Sequence, residues 1–243
     1  MRESGVPVVM TVAGSDSSCG AGLQADLKTF VARGVYGLCA VTCVVAEHPG
    51  EVASIQPVRP AILADQMRLN LEGFPVAAMK TGMLYSSEII GVVVRELGRA
   101  RRRPRLVVDP VMVATSGAVL LRPTAVRRLC DELLPMADLI TPNLDEAALL
   151  VGEPLPNLAA MRGAADALRE RFGCAVLVKG GHLGGAKARD VLAEGGDVVV
   201  FEAPYRKGVH THGTGCTLSA AIAAELSKGL ALRDAVRRGK AFV

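Results

Sequence analysis

One cysteine sits inside a turn bracketed by glycines. The run is His210–Thr211–His212–Gly213–Thr214–Gly215–Cys216–Thr217, and it leads directly into the small-residue segment Leu218–Ala224. Gly213 and Gly215 permit a tight turn and a close backbone approach to a ligand. A helix starting here leaves its first N–H groups without intrahelical acceptors. Those donors and the positive end of the helix dipole make an anion site. In that field the Cys216 thiol is expected to have a lowered pKa and to favour the thiolate. An anion hole holding a base points to chemistry on a phosphate or another developing negative charge. His210 and His212 are candidates to orient the cysteine. Small-residue turns also precede helices that have no such task, and a single cysteine is commonly a small buried hydrophobe. The rest of the chain has to decide.

Other chemistry-bearing residues recur at the ends of short apolar runs: Gly14–Asp16, Lys80–Thr81–Gly82, Asp109, Asn143 with Glu146, and Lys179. Asp109 and Glu146 are two carboxylates suited to a hydrated Mg²⁺, which keeps water ligands and takes one or two acids plus phosphate. The plainer alternative makes Asp109 a turn cap and Glu146 an exposed acid in a first helical turn. Lys179, before Gly180–Gly181, could meet a phosphate as a point charge; its plainer reading is a solvated lysine.

Regular elements must bring these residues together. Val6–Ala13 predicts a buried strand, and Ala21–Arg33 predicts a helix with Leu23, Leu27, Phe30 and Val31 on one face, stopped by Gly34. Strands are expected at Val35–Ala46, Val76–Met79, Leu106–Val108, Leu139–Thr141 and Ala175–Val178. Helices are expected at Ala61–Leu71, Ser87–Leu97, Thr124–Leu134, Leu158–Phe172, Gly213–Lys228 and from Leu232 onward. Ala188–Ala193 and Val198–Ala203 read as a hairpin turning at Gly195–Gly196. Strands alternating with helices imply a mostly parallel sheet covered on both faces, a three-layer α/β/α domain spanning residues 1–243. Every polar cluster above then falls on the C-terminal edge of that sheet, where open α/β sheets bind ligands.

Composition narrows the function further. The 243 residues are 50% hydrophobic and 21% charged with a net charge of +4, which suits one large α/β domain. Aromatics make up 3% with no Trp, so stacking platforms for single-stranded nucleic acid are scarce. The basic run Arg99–Arg105 reads as a solvated helix end. Six cysteines form no C-x-x-C pair, and Cys39, Cys43 and Cys174 read as core. No signal peptide or membrane-length apolar run is seen, so a reducing cytoplasm is expected. There is no G-x-x-x-x-G-K-S/T and no G-x-G-x-x-G after the first strand, which argues against a P-loop enzyme and a dinucleotide site.

Read together, these segments resemble the ribokinase-like superfamily and, within it, the hydroxymethylpyrimidine/phosphomethylpyrimidine kinases of thiamine biosynthesis. The resemblance is carried by Ala13–Asp16, Gly20–Phe30, Gly34–Gly37, Lys80–Met83, Val108–Met112, Thr141–Glu146, Lys179–His182 and His212–Cys216. It implies transfer of the ATP γ-phosphate to the hydroxymethyl group of 4-amino-5-hydroxymethyl-2-methylpyrimidine, then a second transfer onto the monophosphate. Cys216 would be the base or alcohol-activating group, with the Gly213–Cys216 amides stabilising the phosphoryl group. Asp109 and Glu146 would organise Mg²⁺, Lys179 would balance phosphate charge, and Asn143, Thr214 and Gly215 would contribute to the ATP site. Gly14, Asp26, Lys80 and Met83 would belong to the pyrimidine site, with Asp26 pointing at the hydroxymethyl group or its phosphate. Glu47 stands where the family usually carries a glutamine that pairs with the aminopyrimidine; a carboxylate accepts but does not donate. The family is commonly homodimeric. A pyridoxal-type vitamin kinase on the same scaffold and a non-catalytic pyrimidine-binding protein remain as alternatives.

Overall fold

A computed structural model of the chain describes residues 5–112, 121, 123–181, 183–184, 187–205 and 212–243. His182, His210 and Thr211, singled out above, lie outside the described residues. The strands are β1 (Val8–Asp16), β2 (Tyr36–His48), β3 (Glu51–Pro57), β4 (Val76–Thr81), β5 (Arg105–Val108), β6 (Leu139–Ile140), β7 (Ala175–Gly180), β8 (Lys187–Glu194) and β9 (Asp197–Pro204). The helices are α1 (Gly22–Ala32), α2 (Pro60–Gly73), α3 (Ser87–Arg99), α4 (Pro123–Arg128), α5 (Leu144–Val151), α6 (Leu158–Phe172), α7 (Thr214–Ser227) and α8 (Leu232–Phe242).

The strands form one sheet in the order β3-β2-β1-β4-β5-β6-β7-β8-β9. The pairings from β2 to β7 are parallel, and β3, β8 and β9 join antiparallel at the edges. Central strands read as continuous apolar runs because both faces are covered. Side chains alternate between the faces. Val9, Ala78, Val107, Leu139 and Leu177 pack with α1, α7 and α8. Met10, Met79, Val108, Ile140 and Val176 pack with the layer that holds α2 to α6. The result is the expected α/β/α architecture with a mostly parallel sheet.

After β1 the chain builds β2 and β3 to one side, then returns to place β4 on the other. The C-terminal ends of β1 and β4 therefore flank a topological switch point, where such sheets open a crevice.

β4 and β7 run two residues beyond the expected strands, so Lys80 and Lys179 lie within them, and the sequence reading departs further from the structure in four places. β1 continues through Gly14–Asp16, because a register shift between Ala13 and Ser15 lets Ser15 and Asp16 pair with Val44 and Val45. β3 was not expected; its residues are mostly exposed, so no apolar alternation marks it. α5 was not among the expected helices, yet Asn143 and Glu146 form a reciprocal capping box and Gly152 ends the helix in a left-handed conformation. The expected helix Thr124–Leu134 is regular only over Pro123–Arg128 and then widens before a tight turn at Leu134–Met136. Cys43 and Cys174 are buried as expected, whereas Cys39 is half-buried. Arg99, Arg101, Arg102, Arg103 and Arg105 are exposed. Among the described residues no helix is long and apolar enough to cross a membrane.

Candidate active site

The first intrahelical bond of α7 runs from Thr217 N–H to the Gly213 carbonyl, 2.9 Å, so the amides of Gly215 and Cys216 have no acceptor within their own helix. Gly213 caps the helix with φ +79°, and a Cβ there would lie 1.8 Å from the Gly20 carbonyl oxygen. Only glycine fits, so the α7 N-terminus is pressed onto the turn that follows β1. The turn itself is held by Asp16. Its Oδ1 accepts from Ser18 N–H (2.7 Å), and its Oδ2 accepts from Gly20 and Ala21 N–H (3.1 and 2.7 Å). Burial pushes the Asp16 carboxyl up, but its hydrogen bonds to Ser18, Ala21 and His212 outweigh that and hold it below the usual range.

Four strand ends face α7 in a row, because alternation puts Lys80, Asp109, Thr141 and Lys179 on the same face as Ala78, Val107, Leu139 and Leu177. Lys80 and Asp26 have no exposed side-chain surface, and Lys80 Nζ lies 3.0 and 2.9 Å from the two Asp26 carboxylate oxygens. Thr11 Oγ1 donates to Asp26 Oδ2 at 2.6 Å. Burial opposes the Lys80 charge, but Asp26 outweighs it and holds the lysine protonated. Lys179 Nζ donates to Asp109 Oδ1 at 2.8 Å. Burial opposes ionisation of Asp109 too, but Lys179 and Lys80 overcome it and keep the carboxyl below its ordinary range. The Ser219 hydroxyl, one turn along α7 from Cys216, reaches Asp109 Oδ2 at 3.2 Å. A Cβ on Gly215 would lie 3.2 Å from Lys179 Nζ and 3.9 Å from Asp109 Oδ2, so the anion-hole backbone abuts this pair.

Cys216 sits between the two ion pairs. Burial raises its pKa; Asp26 and Asp109 add to the rise, while Lys80 and the Gly22 N–H oppose it. The expected thiolate is thus corrected to a protonated thiol in the resting protein. Two carboxylates and partial removal from water outweigh one lysine and the helix end. The charged groups that act on the sulfur are Lys80, Asp26 and Asp109.

Glu146 is buried rather than exposed: its Oε1 accepts from Met112 N–H (3.1 Å) and its Oε2 from Asn143 N–H (2.9 Å). Burial raises its pKa, and Lys179 pulls against that. The Asn143 side-chain oxygen is spent on the cap, 2.9 Å from Glu146 N–H. On the other flank of the crevice, a Cβ on Gly14 would lie 2.9 Å from Cys43 Sγ, 3.6 Å from Met83 Sδ and 3.7 Å from Val45. The close approach leaves an apolar floor there. Glu47 follows two residues beyond Val45 on β2 and is half-buried.

Against this geometry, residues 16–243 match the family model described as phosphomethylpyrimidine kinase. The chain belongs to the phosphomethylpyrimidine kinase family. It is 46% identical over 97% of its length to the hydroxymethylpyrimidine/phosphomethylpyrimidine kinase of Rhizobium meliloti, covering 88% of that protein. A solved phosphomethylpyrimidine kinase from Clostridium difficile superposes with a TM-score of 0.85 at 37% identity, covering 98% of each chain. An ADP complex of Bacillus subtilis pyridoxal kinase superposes with a TM-score of 0.91 at 38% identity, covering 98% of this chain and 91% of that one. The fold is ribokinase-like, and a kinase of this family uses ATP.

Two expectations for this family member need correcting. Asp26 was expected to point at the substrate, but it is closed off by Lys80 and Thr11. His212 was expected to orient Cys216, but its Nε2 lies 3.2 Å from Asp16 Oδ2 instead. Three contributors were missed. Ser219 was legible from its spacing of three residues after Cys216. Thr11 and Cys43 were not, since a threonine and a cysteine within apolar strands carry no outward sign of what they face.

Proposed function

We propose that the protein is an ATP-dependent kinase, acting as one domain over residues 1–243, that phosphorylates 4-amino-5-hydroxymethyl-2-methylpyrimidine to its monophosphate and then to its diphosphate in thiamine biosynthesis. The observation that carries this reading is the Cys216 thiol at the start of α7, set between the Lys80–Asp26 and Lys179–Asp109 pairs. The ring would lie over Gly14 and Met83, within reach of Glu47. Its hydroxymethyl oxygen would face Cys216, and the segment Gly213–Cys216, which includes Thr214, would face the phosphoryl group in transit.

Phosphoryl transfer needs positioning and charge compensation more than covalent help. Cys216, a thiol at rest, orients the alcohol; to take the alcohol's proton it must first release its own to solvent, and Lys80 and the Gly22 N–H favour the thiolate so formed, which is returned to the thiol by the proton it accepts. Lys179 neutralises phosphate oxygens from a place already fixed by Asp109. Asp26 acts through Lys80 as a positioning residue. Asn143 shapes the nucleotide side by capping α5.

The donor set fits Mg²⁺ held through water. Asp109 is held below its ordinary pKa, and each Glu146 oxygen accepts one backbone N–H and keeps a further lone pair that a water of the hydration shell could meet. When bound, the ion neutralises phosphate charge. A homodimer in the cytoplasm completes the reading that the family resemblance supports.

The test is a coupled ATP-turnover assay over the hydroxymethylpyrimidine, its monophosphate and pyridoxal, with product identification. Mono- and diphosphate from the pyrimidine are expected. Turnover of pyridoxal alone would replace the reading with a pyridoxal-type kinase, and pyrimidine binding without turnover would replace it with a binding protein.

A further inference from the structure

Lys240 lies in the last turn of α8, on an element that supplies none of the residues placed in the site so far. Its side chain is 13% exposed, and its Nζ lies 2.6 Å from Asp190 Oδ2. The Asp190 side chain is 8% exposed, and the residue stands on β8 directly opposite Lys179. Its other oxygen, Oδ1, accepts from Gly180 N–H at 3.0 Å. One carboxylate therefore links the last helix to the residue that follows Lys179.

The surroundings of Gly180 make that link tight. A Cβ there would lie 2.2 Å from the Arg189 carbonyl oxygen and 2.5 Å from Met161 Cε. The end of β7 is thus pressed between β8 and α6, closer than any side chain would permit. Lys179 is held from its other side as well, because its N–H donates to the Pro142 carbonyl at 2.8 Å. The residue beside Lys240 backs the other half of the site. A Cβ on Gly239 would lie 2.7 Å from Ile222 Cγ1 and 3.4 Å from Leu218 Cδ1, and Leu218 comes two residues after Cys216. Two adjacent residues of α8 thus abut the helix that carries Cys216 and reach the strand that carries Lys179.

We propose that Lys240 is a positioning residue for phosphoryl transfer: through Asp190 and Gly180 it fixes the end of β7, so that Lys179 meets the phosphate from the place where Asp109 holds it. The inference rests on the kinase reading and extends it to the last helix. With the ammonium present, both Asp190 oxygens are engaged and the carboxylate stays on Gly180. Removing the ammonium leaves a buried charge uncompensated. The carboxylate then turns toward water and lets go of the Gly180 amide. An asparagine in place of Asp190 needs no cation, yet its side-chain oxygen still accepts from Gly180 N–H. Activity should therefore follow the Gly180 contact rather than the tie to α8.

The experiment compares wild-type protein with Lys240→Met, Asp190→Leu and the double variant Lys240→Met/Asp190→Asn. It measures kcat and KM for the hydroxymethylpyrimidine, hydrogen exchange at the Gly180 amide, and binding of a non-hydrolysable ATP analogue by calorimetry. Lys240→Met and Asp190→Leu should each lower kcat by about tenfold or more, with KM for the pyrimidine unchanged. Both should also speed exchange at the Gly180 amide and weaken binding of the analogue. The double variant gives up the tie to α8 and keeps the Gly180 contact, so it should recover most of the lost kcat, the protection and the binding. A lysine that merely docks α8 predicts the opposite, a double variant as impaired as Lys240→Met, and that result overturns the proposal. So does Lys240→Met with wild-type kcat and wild-type exchange at Gly180. Should Asp190→Leu fail to fold, the comparison of Lys240→Met with the double variant decides alone. Wild-type protein that transfers no phosphoryl group to the pyrimidine overturns the kinase reading, and exchange and calorimetry then decide the positioning role by themselves.

Discussion

Replacing Lys80 by methionine tests the part of the site that the structure changed most. The methionine keeps the length and apolar stem of the side chain and removes its charge. Asp26 would be left as a carboxylate with no exposed surface, and Thr11 would be the only remaining donor among the contacts described. Breaking a buried ion pair by removing one partner costs about 3–5 kcal/mol. Against a typical stability of about 5–15 kcal/mol this is a large fraction. For a chain of this size each kcal/mol lowers Tm by roughly 2–4 °C, so a fall of roughly 6–20 °C is expected. Lys80 is held above its ordinary pKa, so its contribution is complete below the unfolded-state value of about 10.4 and is lost only as pH rises through the folded-state value. Asp26 is held above its ordinary pKa by burial against the pull of Lys80, so without that lysine it takes a proton more readily, and the gap between Lys80→Met and wild type should narrow as pH falls. The double variant Lys80→Met/Asp26→Leu removes the stranded charge and should recover about 2 kcal/mol or more relative to the single variant. Urea and thermal unfolding followed by circular dichroism read all three proteins. A single variant within about 1 kcal/mol of wild type, or a double variant no better than the single, would refute the claim that this pair is a buried, ionised strut.

Other consequences are equally direct. Cys216→Ala should lower kcat by ~10²-fold or more with little change in pyrimidine binding, and unchanged turnover would remove the alcohol-activating role. In wild-type protein the pH midpoint for Cys216 alkylation, followed by peptide mass spectrometry, should lie above that of an ordinary thiol; a midpoint below it would restore the thiolate expected from the sequence. Gly213→Ala places a Cβ 1.8 Å from the Gly20 carbonyl at a positive φ. It should cost about 1–3 kcal/mol in unfolding free energy and depress kcat; wild-type values for both would show that the cap does not position the loop. Asp16 is held below its ordinary pKa, so its contribution is present above the unfolded value of about 3.9 and is lost as pH falls through the folded value. Asp16→Asn should be less stable than wild type at pH 7, and the difference should shrink as the pH falls below about 4; parallel stability curves would contradict this.

Much of the site was legible before any coordinates, for a local reason. Apolar runs of four to eight residues alternating with helical periodicity place every following polar cluster on one edge, so Gly14, Lys80, Asp109, Asn143 and Lys179 could be assigned to it without knowing the strand order. The spacing N-x-x-E at Asn143 and Glu146 is an equally local mark of α5, but the expected helices did not include it. β3 carried no such mark, since an exposed edge strand has no buried face to impose alternation.

What each side chain meets was decided elsewhere. The amino-acid sequence by itself determined most of the elements, their faces being set by periodicity, and the glycine-bracketed start of α7 with its cysteine. Only the tertiary structure decided that Lys80 finds Asp26, 54 residues away, that His212 finds Asp16, 196 residues away, and that Cys216 keeps its proton. The physical reason is range. Backbone hydrogen bonding and side-chain periodicity act over a few residues, whereas a buried charge takes its state from whichever groups strand order and register bring within a few ångströms of it.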